Sequence, residues 1–184
     1  MKIVETERLV LRELDSATDA EFVFALLNTP TFIKFIGDRG VRSSREAAAF
    51  IEERYRASYR DHGFGLYVVE LKGIEGNALT DVPASATKST LSAIGLCGFV
   101  KRDTLPEPDI GFAFLPEFER QGYGFESAEA MMEYGRKTLG FTTVLAITSL
   151  ENDISGKLLE KLGFKFDKLI ESGDETLKLY SSEL

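Results

Sequence analysis

The stretch Asp109-Ile110-Gly111-Phe112-Ala113-Phe114-Leu115-Pro116-Glu117-Phe118-Glu119-Arg120-Gln121-Gly122-Tyr123-Gly124-Phe125-Glu126 changes character in its middle. Up to Leu115 it is an apolar, strand-like run, and Pro116 closes it. From Glu126 onward a helical pattern sets in, with Ala128, Met131, Met132, Gly135 and Leu139 on one face. Gly122 and Gly124 lie at the junction, so the segment reads as strand, glycine turn, helix. Such a turn lets the backbone approach an anion closely, and the helix start adds unpaired N–H donors and the positive end of the dipole. Glycines also occur at strand-to-helix turns only because they tolerate positive φ. The turn alone supports both readings equally.

Working outward, Ile3 to Leu14 alternates Leu9 and Leu11 with Arg8 and Arg12, which predicts a first strand. Thr18 and Glu21 have capping-box spacing ahead of Phe22, Ala25 and Leu26, and Pro30 is expected to end that helix. Ser43 and Glu46 form a second capping box, followed by Ala47, Phe50, Ile51 and Tyr55 at helical spacing. Phe64 to Leu71 and Ala93 to Arg102 read as partner strands. Gly73 to Ser92, rich in small and polar residues, reads as a mobile hairpin loop inserted between them. Thr143 to Thr148 is a β-branched strand, Ile154 to Leu162 a short helix stopped by Gly163, and Phe164 to Ile170 with Glu175 to Tyr180 a closing hairpin. The order β-α-α-β-β-β-α-β-α-β-β predicts one mixed α/β (α+β) domain over residues 1–184, with the loop at 73–92.

A chain of 184 residues with 43% hydrophobic and 28% charged residues can bury a sizeable core. The formal charge of −8 argues against extended nucleic-acid binding, which needs a basic surface. It mildly favours a cationic substrate. No apolar run is long enough to span a bilayer and no signal-peptide pattern opens the chain, so no membrane partner is expected. A single cysteine, Cys97, excludes an internal disulfide and fits a reducing compartment, with the cytoplasm as the default. Cys97 with the only histidine, His62, is formally a nucleophilic pair, but Cys97 sits in a strand as small apolar residues do. One His and one Cys without ligand spacing form no metal site.

Three blocks in order carry a resemblance. They are Asp109-Ile110-Gly111-Phe112-Ala113-Phe114, then Gln121-Gly122-Tyr123-Gly124-Phe125-Glu126, then Asn152-x-x-Ser155 with Leu159-Glu160-Lys161-Leu162-Gly163-Phe164. Together they resemble the GNAT superfamily of acetyl-coenzyme A-dependent N-acetyltransferases, and the opening Thr6-Glu7-Arg8-Leu9-Val10-Leu11-Arg12 resembles its ribosomal-protein N-terminal acetyltransferase branch. Glu119 and Arg120 depart from that branch's usual residues at the entrance of the turn.

The resemblance implies a mixed, mostly antiparallel sheet of about seven strands, helices on both faces and splayed central strands. It implies acetyl-coenzyme A as acyl donor, no metal, and a primary amine as acceptor, either a peptide N-terminus or a small molecule; a homodimer is left open. The coenzyme A pyrophosphate would sit on backbone N–H groups of Gln121, Gly122, Tyr123, Gly124, Phe125 and Glu126, and the pantetheine arm would pair with backbone near Phe114 and Leu115. Asn152 would hydrogen-bond the pantetheine amides, and Ser155 would lie beside the sulfur. As residues alone, Asn152 reads first as a helix N-cap and Ser155 as first-turn filler. The chemistry also needs a proton acceptor for the amine, for which Asp109 is the first choice and Asp38 and Glu70 are alternatives. The acceptor side is expected from residues 31–42 and the early helices, with Phe35, Tyr55 and Tyr59. A coenzyme A-binding sensor or scaffold of the same fold is the competing expectation.

Overall fold

A computed structural model of the protein describes residues 1–73 and 91–184. Eight strands form one sheet: β1 (Lys2–Glu5), β2 (Leu9–Arg12), β3 (Leu66–Lys72), β4 (Leu91–Val100), β5 (Asp109–Phe114), β6 (Thr143–Ser149), β7 (Lys165–Ser172) and β8 (Glu175–Glu183). Their order is β1-β2-β3-β4-β5-β6-β8-β7, antiparallel throughout except between β5 and β6. The eighth strand comes from the N-terminus. The polar residues Thr6-Glu7-Arg8 turn the chain, with Thr6 N–H donating to the Leu9 carbonyl at 2.9 Å, so the expected first strand is a hairpin. β4 begins at Leu91, two residues earlier than its pattern suggested. The rest of the expected 73–92 loop falls on residues 74–90, outside the described residues.

The helices are α1 (Ala20–Leu27), α2 (Pro30–Phe35), α3 (Ser44–Phe50), α4 (Ala57–His62), α5 (Tyr123–Tyr134) and α6 (Asp153–Lys161), with a π-helical turn, Ile51–Arg56, joining α3 to α4. Two local expectations need correction. Helix α1 is entered from Asp19, whose side chain makes no cap bond because Arg12 holds it. Pro30 does not end α1 but opens α2, where its missing N–H costs nothing; Thr29 caps that start from the Phe32 N–H. At α3 the capping box is real in part. The Ser43 hydroxyl accepts from the Glu46 N–H, but the Glu46 carboxylate reaches back to the Arg42 N–H at 2.6 Å.

Helices cover both faces of the sheet. On one, Val23, Leu26, Leu27, Ala47, Ile51 and Tyr55 pack on Val68, Leu96 and Ala113. On the other, Ala128, Met131, Met132 and Leu159 pack on Tyr67, Cys97, Phe99, Ile110, Val144 and Ala146. Each fully buried Leu, Ile, Val or Met contributes about 1.5–3 kcal/mol by leaving water. Between β2, α1 and β3 the Arg12 guanidinium binds both Asp19 oxygens and Glu70 Oε1, each at 2.8 Å. Asp19 and Glu70 are only 3% and 7% exposed, so this one cation compensates two buried carboxylates.

Two hydroxyls at the end of β6, Thr148 Oγ1 and Ser149 Oγ, are the buried side-chain polar atoms without a hydrogen-bond partner among the described residues. An unmade hydrogen bond of this kind costs about 1–3 kcal/mol. Replacing Thr148 with the near-isosteric Val should therefore raise the stability of the ligand-free protein by about 1 kcal/mol. In thermal unfolding the melting temperature should rise by roughly 2–4 °C. A lower melting temperature would show that the hydroxyl has a partner within the fold.

Candidate active site

The parallel pairing of β5 and β6 consists of a single bridge, Asp109 opposite Leu145, with the Leu145 N–H donating to the Pro108 carbonyl at 2.9 Å. Beyond it the strands part. β5 stays on β4, where the Leu115 N–H donates to the Ile94 carbonyl at 2.9 Å, while β6 stays on β8 along its whole length. In an antiparallel ladder alternate residues point both backbone groups the same way. If Leu115 and Ala113 face β4, then Phe112 and Phe114 present their N–H and C=O to the gap.

Phe114 is therefore placed as the pantetheine reading requires, and Leu115 is not. Its N–H is spent on Ile94 and its carbonyl accepts from the Phe118 N–H at 2.9 Å. Phe112, which sequence reasoning passed over, turns its backbone groups to the gap instead. The signal was available in the period of two along the strand, once the partner of Leu115 is known.

A cleft of about 1270 Å³ passes through the gap. On the α5–α6 side it is lined by Phe114, Gly122, Gly124, Phe125, Asn152, Ser155 and Lys161. On the other side it meets Phe35, Asp38, Tyr55, Asp109, Ser172 and Glu175. Tyr59 packs in the core instead, stacked on Tyr67.

The glycine turn enters α5 through two left-handed residues, Arg120 (φ 60°) and Gly122 (φ 85°). The N–H groups of Gln121, Gly122, Tyr123, Gly124 and Phe125 have no protein acceptor among the described residues. They form a run of five donors at a helix N-terminus. Glu126 differs from expectation. Its N–H donates to the Gly122 carbonyl at 3.0 Å and closes the first helical turn. Its carboxylate accepts from Thr6 Oγ1 at 2.6 Å, the Arg8 N–H at 3.0 Å and Arg8 Nε at 2.6 Å. Burial opposes ionisation here, but these donors hold the carboxyl below its ordinary range. Glu126 anchors the turn and offers it no donor.

Asn152 caps α6, its Oδ1 accepting from the Ser155 N–H at 3.1 Å. The capping role leaves the Asn152 Nδ2 and the Ser155 hydroxyl without protein partners among the described residues, and both residues line the cleft. One residue thus serves both as cap and as an available donor. On the opposite wall, Thr148 lies three residues beyond the bridge, as Phe112 does on β5, so both sit about 10 Å along the diverging strands.

Asp109 stands at the apex of the splay, 1% exposed, with Arg102 Nε on its Oδ1 at 2.8 Å. Burial pushes its carboxyl above the ordinary range, against the lowering effect of Arg102. The alternatives fare differently. Asp38 is exposed, and Arg42 with the Gly40 N–H holds it down to about 2, too low for a useful base near neutral pH. Glu70 is bound by Arg12 away from the cleft. Burial pushes the Cys97 thiol up to about 12, and Cys97 does not line the cleft, so no Cys–His pair forms with His62.

Among the described residues no helix is long and apolar enough to cross a membrane. Comparison with known proteins places these features in a family. The chain is 28% identical over 163 residues to the uncharacterized N-acetyltransferase YoaA of Bacillus subtilis strain 168, covering 89% of this chain and 82% of that protein. Its fold is similar to RimL, the ribosomal L7/L12 alpha-N-protein acetyltransferase solved with coenzyme A, at 13% identity and a TM-score of 0.74 over 100% of this chain and 98% of that one. It is also similar to the spermidine N-acetyltransferase of Vibrio cholerae solved with coenzyme A and spermine, at 18% identity and a TM-score of 0.71 over 97% and 96% of the two chains. The acetyltransferase (GNAT) domain family matches residues 8–165, which hold β2 to β6 and helices α1 to α6, and the chain belongs to that family of acetyltransferases.

Proposed function

We propose that the cleft binds acetyl-coenzyme A and that a primary amine attacks its thioester directly, with both substrates bound together. The observation that carries this reading is the continuity of two unpaired backbone surfaces. Five N–H donors at the start of α5 suit a pyrophosphate, and the free edge of β5 at Phe112 and Phe114 suits an amide-bearing arm laid in as an added strand. Asn152 Nδ2 completes the set of arm-binding groups. A β5 N–H facing the gap polarises the thioester carbonyl as negative charge develops on its oxygen.

In the reaction the amine nitrogen forms a bond to the carbonyl carbon and the resulting intermediate collapses with cleavage of the C–S bond. Asp109 accepts the proton released by the amine, directly or through water, and Ser155 donates a hydrogen bond to the departing thiolate. A serine hydroxyl is too weak an acid to surrender its proton outright near neutral pH, so its role is to reduce charge on sulfur. The acceptor is a peptide N-terminus or a small amine. The names of the two structural neighbours, one acting on a ribosomal protein and one on spermidine, fit either class. The acceptor approaches from the side of Phe35, Tyr55 and Asp109, opposite α5 and α6.

Thermal unfolding with acetyl-coenzyme A, desulfo-coenzyme A and ATP tests the donor. Stabilisation by both coenzyme A compounds is expected; stabilisation by ATP alone would sink the reading. Gly122→Val should weaken coenzyme A binding by about tenfold or more, a loss of at least about 1.4 kcal/mol. Its side chain would occupy a left-handed position and lie against Arg8, where even a Cβ comes within 3.2 Å of Nη2. Unchanged affinity would move the phosphate site elsewhere.

Thiol release against a panel of peptides and polyamines identifies the acceptor, and absence of turnover with all of them would favour the sensor reading. With a working acceptor, Asp109→Asn should lower kcat by about 10²-fold or more. The catalytic form is the carboxylate, and burial raises its pKa. The wild-type rate should therefore fall with decreasing pH through a limb above the usual aspartate range, and the variant should lack that limb. An unchanged profile would assign the base to another group.

A further inference from the structure

The opening motif Thr6-Glu7-Arg8 lies far in sequence from the glycine turn and lines no part of the cleft, yet Thr6 and Arg8 are bonded to that turn. Arg8 reaches three of its residues. Nε and Nη2 bind Glu126 Oε2, both at 2.6 Å; Nη1 donates to the Gln121 carbonyl at 3.1 Å; and the guanidinium lies 4.6 Å from the centre of the Tyr123 ring. Thr6 Oγ1 and the Arg8 N–H occupy the other Glu126 oxygen. We propose that Arg8 is a positioning residue for the pyrophosphate of the coenzyme, acting through the turn it holds. The proposal rests on the donor assignment above.

Two physical effects follow from this geometry. A trans peptide points its C=O and the next N–H in opposite directions. Holding the Gln121 carbonyl on Arg8 therefore aims the Gly122 N–H away from Arg8, and Gly122 lines the cleft. The second effect is electrostatic. Glu126 places a carboxylate in the first turn of α5, beside the proposed site of a doubly charged ligand. The Arg8 cation neutralises it, so the donors of the turn act without a neighbouring negative charge. The clamp also supports the left-handed backbone at Arg120 and Gly122, which is sparsely populated in the absence of supporting contacts.

The test compares dissociation constants for coenzyme A and for pantetheine, which has the arm but no phosphate. Arg8→Gln should weaken coenzyme A binding by about tenfold, as expected for loss of a charge-assisted contact, and leave pantetheine binding unchanged. Adding Glu126→Gln removes the uncompensated negative charge, and the double variant should recover the electrostatic part of the lost affinity but not the part due to the freed Gln121 carbonyl. Equal weakening of both ligands would mean that Arg8 serves only the fold and would overturn the proposal, as would unchanged coenzyme A affinity in Arg8→Gln. If Arg8→Gln does not fold, Arg8→Lys tests the positioning effect alone, since it keeps the charge but cannot bridge Gln121 and Glu126 together. Coenzyme A binding should then weaken by less than is expected for Arg8→Gln and pantetheine binding should not change, and unchanged coenzyme A affinity would overturn the proposal. Failure of the wild-type protein to bind coenzyme A would instead overturn the donor assignment itself.

Discussion

The site depends on one interrupted pairing. β5 and β6 share a single bridge and then separate, because each is committed to its outer neighbour, β5 to β4 through Leu115 and β6 to β8 from Thr143 to Ser149. A parallel pair carried to its end would have spent the backbone groups of Phe112 and Phe114 on the sheet. Stopping it leaves a free strand edge inside the protein, the kind of edge that elsewhere is blunted or covered. A ligand that carries amides in an extended chain satisfies that edge, and few other ligand classes do. The bases of nucleotides, for example, offer no such repeat.

The backbone features of the proposed donor side were largely legible in the sequence and the walls of the proposed acceptor side were not, for a physical reason. The proposed donor site is built from backbone, and backbone geometry is announced by residues with special conformational needs. Gly122 sits at a positive φ, and Asn152 caps a helix start. Where the reading failed, it failed on which backbone groups were already spent. Leu115 and Glu126 stand in the right segments, but their N–H groups have partners in Ile94 and Gly122. Such pairings depend on ladder register and on the exact first turn of a helix, neither of which a residue pattern contains. Similarly, Pro30 alone reads as a stop, but Thr29 before it makes it a start. Arg102, the partner of Asp109, and the orphan hydroxyls of Thr148 and Ser149 gave no signal because an isolated Arg, Thr or Ser in or beside a strand has many uses.

On the acceptor side the walls come from elements with no common backbone rule. Phe35 ends the short helix started by Pro30, Tyr55 lies in the π-helical turn, and Ser172 and Glu175 come from the β7–β8 hairpin. The π turn adds a residue to the helical register between α3 and α4, so side chains on either side of it no longer follow one stripe. Tyr55 lines the cleft as expected, whereas the helical period gives Phe50 only a packing role although it lines the cleft too. Side chains on loops and hairpins can change while the splay stays intact, which allows one donor site to serve different amines.

The position of Asp109 connects the two halves. It is the residue at the bridge, so the backbone that creates the splay also fixes where its carboxylate sits. Its side chain projects to the face of Ala113 and Leu115, opposite Phe112 and Phe114, because residues two apart share a face and neighbours do not. The donor edge and the carboxylate are thus separated onto different faces of the same strand by its alternation alone. A base on the donor face would have to share space with the arm and its helices. On the other face it lies on the side proposed for the amine, buried enough to raise its basicity and with Arg102 close enough to keep the rise in check. The same short strand therefore orders both events of the proposed reaction, holding the thioester by its edge and receiving the proton by its face.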